Sequence, residues 1–542
     1  MTLKERIQSF LQGEVSNDPE VLSAYSTDAS LFRQMPKLVC SPRSVMDIQQ
    51  LVALAGKTKG ISLTCRAGGS DMTGGPLGSS IVVDVASHMH KLKSIEGNTA
   101  IVEPGMRYRD FEKETLKKGL LLPSYPASRE LCCVGGMVGN NAGGEKGLRY
   151  GKTEKYIESL RVVLDDAEEY EFRALTPSEL KSKMRQKGRE GEVYRKMFRL
   201  LEANGELIAK AKPDVSKNSA GYALWNIWDG KRFDLTQLFC GSQGTLGIIT
   251  EITFRLVRPK KHTRLGILFL RNFEILPDLV NQLLPLKPVS METFDEKTLK
   301  LALRFFPEIA RRVEGKNLLS LLLQFIPEFF IGVRMLGFPK LVVLVEFEED
   351  TRSQVRAKTE KLRKLARSSK IHCRILKSEK DAEKYWVIRH ESFNLLREHV
   401  AGKRTAPFID DFIVQPRYLP QVIPKVFEIL KRYKIEATLA GHAGSGNFHI
   451  IPKMDLSRAE ERAKIKKVSD EVYDLIVQYK GSITAEHNDG LIRTPYLEKM
   501  YGPRVVRLFK EVKKIFDPKG IFNPGKKVGG SIAKSMRLVW HE

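Results

Sequence analysis

A chain of 542 residues, 42% hydrophobic and 29% charged with 41 glycines, has the composition of a folded protein and the length for two or three domains rather than one. Its six cysteines are scattered without a C-x-x-C pair, which argues against a disulfide framework, a zinc ribbon or a cysteine-ligated iron–sulfur cluster and for a reducing, cytoplasmic setting. The formal charge of +25 accumulates late, with 18 Lys/Arg against 15 Asp/Glu in residues 1–150 but 10 against 3 in residues 501–542. No motif with interleaved aromatics supports nucleic acid as a partner, and an anionic membrane surface or an anionic substrate fits the charge as well.

The first residues, Met1-Thr-Leu-Lys-Glu-Arg-Ile7, have no apolar core behind their charges, unlike a signal or transit peptide. Behind Pro42 the apolar spacing predicts a helix over 44–57. Residues 61–65 and 81–85 read as buried strands around a glycine-rich turn. A short strand over 99–103, a helix over 108–118 and a strand over 156–164 follow. That alternation is an α/β pattern, and without G-x-G-x-x-G between strand and helix it is not a classical dinucleotide fold. At Arg258-Pro-Lys-Lys-His262 the character shifts, predicting a boundary after residue 258, with 265–270 and 341–347 as strands of a second, smaller sheet domain. Between them, residues 318–336 are apolar but broken by Pro327, Glu328 and Arg334, too broken for a spanning helix. They read as a buried helical pair or as an interfacial membrane contact flanked by Arg311, Arg312 and Lys340.

Two glycine-rich loops can wrap an anion. Arg66-Ala-Gly-Gly-Ser-Asp-Met-Thr-Gly-Gly75 follows a strand; its glycines free backbone N–H groups, and Ser70 and Thr73 add hydroxyls. Pro126-Ala-Ser128, Gly135-Gly-Met-Val-Gly-Asn-Asn-Ala-Gly-Gly144 and Arg149-Tyr-Gly151 bury little apolar area and are costly to order unless a large ligand packs on them. Either loop alone is equally a structural turn.

Joined by Gly241-Ser-Gln-Gly-Thr-Leu-Gly-Ile-Ile-Thr250, the loops resemble those of the FAD-binding oxidoreductases of the vanillyl-alcohol oxidase (p-cresol methylhydroxylase, PCMH) superfamily. The likeness runs from Tyr25-Ser-Thr-Asp-Ala-Ser30 and Cys40-Ser-Pro-Arg-Ser44 to Asn523-Pro-Gly525. The resemblance implies an α+β protein: a two-part α/β FAD-binding domain of PCMH type at 1–258, an antiparallel-sheet, ferredoxin-like cap or substrate domain with a metal site at 259–485, and a C-terminal segment, 486–542, packing back on the FAD domain. It implies that Ala67, Gly68, Gly69, Ser70, Ala127, Ser128, Gly135 and Gly136 wrap the FAD pyrophosphate. Asn141, Ala142, Gly143, Gly144 and Ile249 would line the flavin and adenine ends, and Asn523 would reach back from the C-terminus. Arg66, Asp71, Thr73, Gly74, Pro126, Asn140, Tyr150, Gly151, Gly244, Thr245 and Gly247 complete the expected cofactor contacts. Some relatives attach FAD through a histidine in the first loop; this loop has none, so non-covalent FAD is expected.

Gly441-His-Ala-Gly-Ser-Gly-Asn-Phe-His449 is the sharpest local signal. Residues seven apart in one extended stretch do not share a face, so the central glycines must bend the chain if both imidazoles are to chelate a divalent metal, with a carboxylate from elsewhere. Gly481-Ser-Ile-Thr-Ala-Glu-His-Asn-Asp-Gly490 offers Glu486, followed by His487; alternation along an extended strand would send one to the metal and leave the other free. These motifs resemble the D-lactate, glycolate and D-2-hydroxyglutarate dehydrogenase branch, where they read G-H-x-G-D-G-N-x-H and E-H. The resemblance implies His442, His449 and Glu486 as ligands of a zinc-like ion and His487 as catalytic base. Ser445 departs from the usual aspartate, and Asn488 from the glycine after E-H.

The chemistry so implied is metal-assisted oxidation of a small 2-hydroxy acid to the 2-oxo acid with FAD as hydride acceptor. Arg389, in Trp386-Val-Ile-Arg389, matches the family arginine that clamps the substrate carboxylate. Ile409 stands where some relatives carry a lysine, which favours a monocarboxylate over a dicarboxylate. Electrons would pass to a quinone, a soluble carrier or a separate iron–sulfur subunit. A homodimer and a peripheral contact with the inner face of a membrane are compatible with the sequence. The alternatives, an oxidase of sugar or lactone alcohols, an enzyme of ether-lipid synthesis or a flavin-binding subunit without turnover, do not call for the H-x6-H pair together with E-H.

Overall fold

Ser44 accepts a hydrogen bond from the Asp47 N–H and so starts the helix Val45–Lys57, whose Ile48, Leu51, Val52 and Ala55 form one apolar face. That face packs on a small sheet in the computed structural model, which describes residues 1–304, 338–376, 378, 381–389 and 404–541. The described residues form two units: 1–144, 151–259 and 482–542 make the first, 145–150 and 260–481 the second.

In the first unit the small sheet has Ile81–Asp84 between Leu38–Ser41 and Leu63–Arg66, all parallel, with Glu14–Ser16 antiparallel at one edge. Leu38–Ser41 and Ile81–Asp84 are buried at every residue, the continuous apolar run expected of a strand covered on both faces. A second, six-stranded antiparallel sheet runs in the order Leu92–Glu96, Thr99–Val102, Ile248–Arg255, Ile157–Val163, Glu169–Leu175, Phe233–Asp234. Val163 and Ile248 of this sheet join the same core as Ile81 and Val83. The C-terminal helix Leu497–Phe516 leads to Phe522, which bridges to Leu63, so the end of the chain is stitched beside the strand that opens the first glycine loop.

The second unit is built on an antiparallel eight-stranded sheet. Its path runs His372–Ile375, His262–Leu270, Leu341–Glu349, Ser290–Asp295, Glu436–His442, Asn447–Met454, Arg404–Thr405, and Phe412–Ile413 also pairs with Asn447–Met454. The strands expected at 265–270 and 341–347 are therefore present, each longer than the pattern suggested. Residues 145–150 belong to this unit: Arg149 Nη1 donates to Glu348 O at 2.6 Å and the Tyr150 hydroxyl to Glu348 Oε2 at 3.1 Å. The apolar stretch 318–336 lies outside the described residues. Among the described residues no helix is long and apolar enough to cross a membrane.

Candidate active site

In the first unit the three glycine motifs meet in one polar knot centred on Asp71. One carboxylate oxygen accepts from Thr73 N and Oγ1, both at 2.7 Å, and from Gly75 N at 3.0 Å; the other accepts from Asn140 Nδ2 at 2.9 Å and Gln243 Nε2 at 3.4 Å. Asn523 brings in the C-terminal segment, donating Nδ2 to Gly75 O at 2.9 Å and to Gln243 O at 2.7 Å. Asp28, pushed up to about 7 by burial and then by the charge of Asp71, accepts from Gly74 N at 3.1 Å. Arg66 donates to Thr27 O at 2.8 Å and stacks over the Tyr25 ring, 5.1 Å from its centroid. Its guanidinium occupies the place of a Cβ on Gly69, which is also held at φ +66°, so position 69 accepts only glycine without strain.

Asp71, Thr73, Asn140, Asn141, Thr245 and Asn523 therefore use their side chains to hold the scaffold together, Asn141 through Glu154 and Thr245 through Tyr222. What stays accessible is backbone: residues 67–70, 135, 136 and 139 are partly or fully exposed, while Leu63, Thr64, Met137 and Val138 beside them are buried. Ala67 Cβ lies 3.6 Å from a Cβ built on Gly136, so the two loops abut. A wall of glycines and methyl-sized residues leaves room for a diphosphate to approach the backbone. Pro126, Ala127 and Ser128 form a partly exposed turn nearby in sequence, Gly151, Gly244 and Gly247 have positive φ, and Ile249 lies in the strand Ile248–Arg255.

The extended strand expected around Glu486 and His487 is absent. Residues 485–487 run as consecutive bends and Asn488 has φ +73°, so strand alternation is not what separates the two side chains. Buried lysines hold this segment instead. Lys152 Nζ donates to Ala485 O at 2.9 Å and Asn218 O at 2.8 Å. Lys527 Nζ donates to Asp489 Oδ2 at 2.9 Å, Ser219 O at 2.8 Å and Gly221 O at 2.7 Å, and burial lowers its pKa against the pull of Asp489. Lys217 is ion-paired with Glu486. A Cβ on Gly143 would sit 2.9 Å from Glu486 Oε1, so the glycine admits the carboxylate. His487 is partly exposed. Asn488 tolerates the left-handed backbone that a glycine would take and adds two bonds, from Nδ2 to Asn140 O at 3.2 Å and to Gly241 O at 2.9 Å. That departure tightens the segment onto the glycine motifs.

In the second unit the strands Glu436–His442 and Asn447–Met454 form a hairpin through the turn Ala443–Ser445, with His442 opposite Asn447 and His449 opposite Ala440. The chain reversal, rather than a bend within one strand, puts both imidazoles on one sheet face, their centroids 5.2 Å apart and their planes at 85°. Each ring has its Nδ1 engaged: His442 with Glu292 Oε1 at 2.6 Å, His449 with Asp410 O at 2.9 Å. A ring fixed through Nδ1 to a carboxylate or carbonyl presents Nε2 as its ligating nitrogen, the arrangement metal-binding histidines use. The pair therefore fits a borderline-soft divalent ion. Ser445, in place of the usual aspartate, donates Oγ to His442 O at 3.0 Å and closes the turn.

Glu292 takes Arg389 on its other oxygen, with Nε and Nη2 both at 3.2 Å, and the Arg389 side chain is only 11% exposed. This is a buried pair on the histidine face, not a surface salt bridge. Ser290 is opposite Glu346 in the same sheet, and among the described residues neither Ser290 Oγ nor Glu346 Oε2 makes a hydrogen bond. Burial pushes Glu346 up to about 8, with Lys146 opposing. Ile409 is fully buried.

Residues 36–173 match a family model described as an FAD binding domain, and residues 259–527 match the C-terminal domain of FAD linked oxidases. The chain belongs to the FAD-linked oxidases. FAD is accordingly its cofactor, consistent with the backbone-walled cradle. The protein is 27% identical over 96% of its length to a D-2-hydroxyglutarate dehydrogenase of Pseudomonas putida, and covers 51% of that protein. It thus spans about half the length of the first curated relatives it matches. It is 26% identical to the glycolate oxidase subunit GlcD of Bacillus subtilis, with 93% of this chain and 91% of that one aligned. For a D-lactate dehydrogenase of Archaeoglobus fulgidus the figures are 25%, 93% and 96%. Among solved structures, p-cresol methylhydroxylase with substrate bound superposes with a TM-score of 0.68 at 15% identity, over 97% of this chain and 96% of that one. A 4-ethylphenol oxidase from Gulosibacter chungangensis gives 0.68 at 16% identity, over 98% and 97%. These two establish the fold, which is the α+β PCMH type expected.

Reasoning from the sequence missed four residues of this FAD-linked oxidase. Glu292 had a signal, a carboxylate in the middle of the buried strand Ser290–Asp295, where a charge requires partners. Asp410, whose carbonyl oxygen meets His449 Nδ1, and Asp411, which accepts from Asn447 Nδ2 at 3.0 Å, likewise interrupt an apolar run, and both are fully buried. Lys217 had none, since it stands in the polar loop Pro213-Asp-Val-Ser-Lys-Asn-Ser219.

Proposed function

We propose that this FAD-linked oxidase is a dehydrogenase converting a D-2-hydroxy acid of the lactate or glycolate type to the 2-oxo acid, with electrons leaving to an acceptor other than oxygen. The observation that carries the reading is the imidazole pair of His442 and His449, each with Nδ1 engaged, in a chain whose relatives include 2-hydroxy-acid dehydrogenases. These two rings, with Glu486 as third ligand, would hold a divalent ion such as zinc, which would supply the acidity that loosens the substrate's hydroxyl proton, and non-covalent FAD would supply the hydride acceptor. His487, as the neutral imidazole, takes that proton. Arg389 binds the substrate carboxylate, and Glu292 keeps both Arg389 and His442 oriented. The uncharged Ile409 offers no anchor for a second carboxylate, which favours lactate, glycolate or a longer apolar homologue. The acceptor is a quinone, a soluble carrier or an iron–sulfur subunit.

The test is anaerobic. Purified protein should be yellow and its flavin band should bleach with D-lactate or glycolate, not with the L-isomer, and chelation should slow the bleaching. A colourless or metal-free preparation, or one that no 2-hydroxy acid reduces, overturns the reading. Faster reduction by D-2-hydroxyglutarate would overturn the monocarboxylate preference alone.

A further inference from the structure

Lys152 reaches the 482–490 segment through the Ala485 carbonyl and Lys527 through the Asp489 carboxylate, while Lys217 gives its ammonium to the carboxylate of Glu486. The Lys217 and Glu486 side chains are only 2% and 7% exposed. A carboxylate this far from water is stable as an anion only beside a cation. Glu486 also has little freedom to swing towards Gly143, where a Cβ would already lie 2.9 Å from its Oε1. A divalent ion on the same carboxylate would repel the ammonium strongly in such a site.

We infer that Lys217 is the built-in counter-ion of the metal-free site, neutralising Glu486 when no metal is bound and yielding part of that carboxylate when one binds. The inference rests on the reading of Glu486 as a metal ligand. Because the pair favours the metal-free state over the loaded one, it lowers metal affinity by the same factor. The segment carrying Glu486 and His487 is thereby kept in place before metallation.

The experiment uses the full FAD-loaded chain, stripped of metal with a chelator and titrated calorimetrically with zinc, and compares wild type with Lys217→Met, Lys217→Gln and Lys217→Arg. Thermal midpoints are recorded with and without zinc, and cobalt(II) spectra report the ligand field. Removing the charge should tighten zinc binding by about tenfold or more. It should lower the metal-free midpoint by more than the loaded one, while Lys217→Arg should preserve both values. Lys217→Gln keeps the test open if the Met variant folds poorly. Equal loss of both midpoints with unchanged affinity would make Lys217 a simple brace, and weaker zinc binding would make it a support of the ligand; either result overturns the inference. Glu486→Gln separates the two levels. If it leaves zinc binding unchanged, or if wild type binds no zinc, the metal role of Glu486 falls and this inference with it. If zinc binds through Glu486 and the neutral variants gain nothing, this inference falls alone.

Discussion

The segment carrying Glu486 and His487 and the sheet face carrying His442 and His449 both bury charge, but by opposite means. The first is an irregular stretch surrounded by lysines, with cations matched to carboxylates and to backbone carbonyls. The second is regular sheet on which acids gather: Glu292 is shared by His442 and Arg389, while Glu346 keeps an oxygen without a hydrogen bond among the described residues. The carboxylates of the irregular segment are matched by lysines, whereas on the sheet face Glu292 is matched by Arg389 and burial holds Glu346 in its protonated form. A cation bound beside Glu346 would favour its charged form, which is the electrostatic case for the proposed metal on that face.

The largest expected effect breaks the comparison at its proposed base. His487→Asn should lower kcat by about 10²–10⁴ while leaving flavin content and zinc affinity near wild type. A loss confined to KM would reassign His487 to substrate binding. Next comes the cradle. Asp71→Ala leaves Thr73, Gly75, Asn140 and Gln243 without their shared acceptor, at about 1–3 kcal/mol for an unsatisfied buried group, so FAD should be lost on ultrafiltration with about 10–100-fold weaker binding. Retention of flavin would show that the exposed backbone alone holds the cofactor. On the sheet face, Glu292→Gln should weaken zinc binding about 10–100-fold by disorienting His442. It should also raise KM through Arg389, so that titration calorimetry and steady-state kinetics move together.

The regular parts of this contrast were legible in the sequence and the irregular parts were not. Apolar periodicity located the helix Val45–Lys57 and strands such as Ile81–Asp84, Ile157–Val163 and Leu341–Glu349 because their burial is written into the run of apolar residues. The histidine motif was legible as a pair, yet its geometry depended on a hairpin reversal that the glycines permit without specifying. Strand alternation failed at Glu486 because the neighbouring backbone is held by a lysine more than 250 residues away in the chain, Lys152, which donates to Ala485 O. Asp71 was expected at the cofactor, and its carboxylate also binds four residues of the scaffold, a role that only long-range pairing reveals.

The smallest expected effect tests whether the sheet face holds Glu346 in its protonated form. Glu346 rises from its ordinary value of 4.5 to about 8 in the folded protein, so folding stabilises its protonated form. Its contribution to stability is then fully present below pH 4.5 and is lost as pH rises through about 8, because over that range the folded state holds a proton that the unfolded state has released. Glu346→Gln keeps a neutral side chain at every pH and should flatten the decline. In urea unfolding at pH 5 and pH 9, wild type should lose more stability between the two than the variant. The difference should approach about 1.4 kcal/mol for every step of one in pH across which the folded state alone keeps the proton. Parallel profiles would mean that a cation already compensates Glu346, and repeating the pair of titrations after chelation would tell whether that cation is the metal.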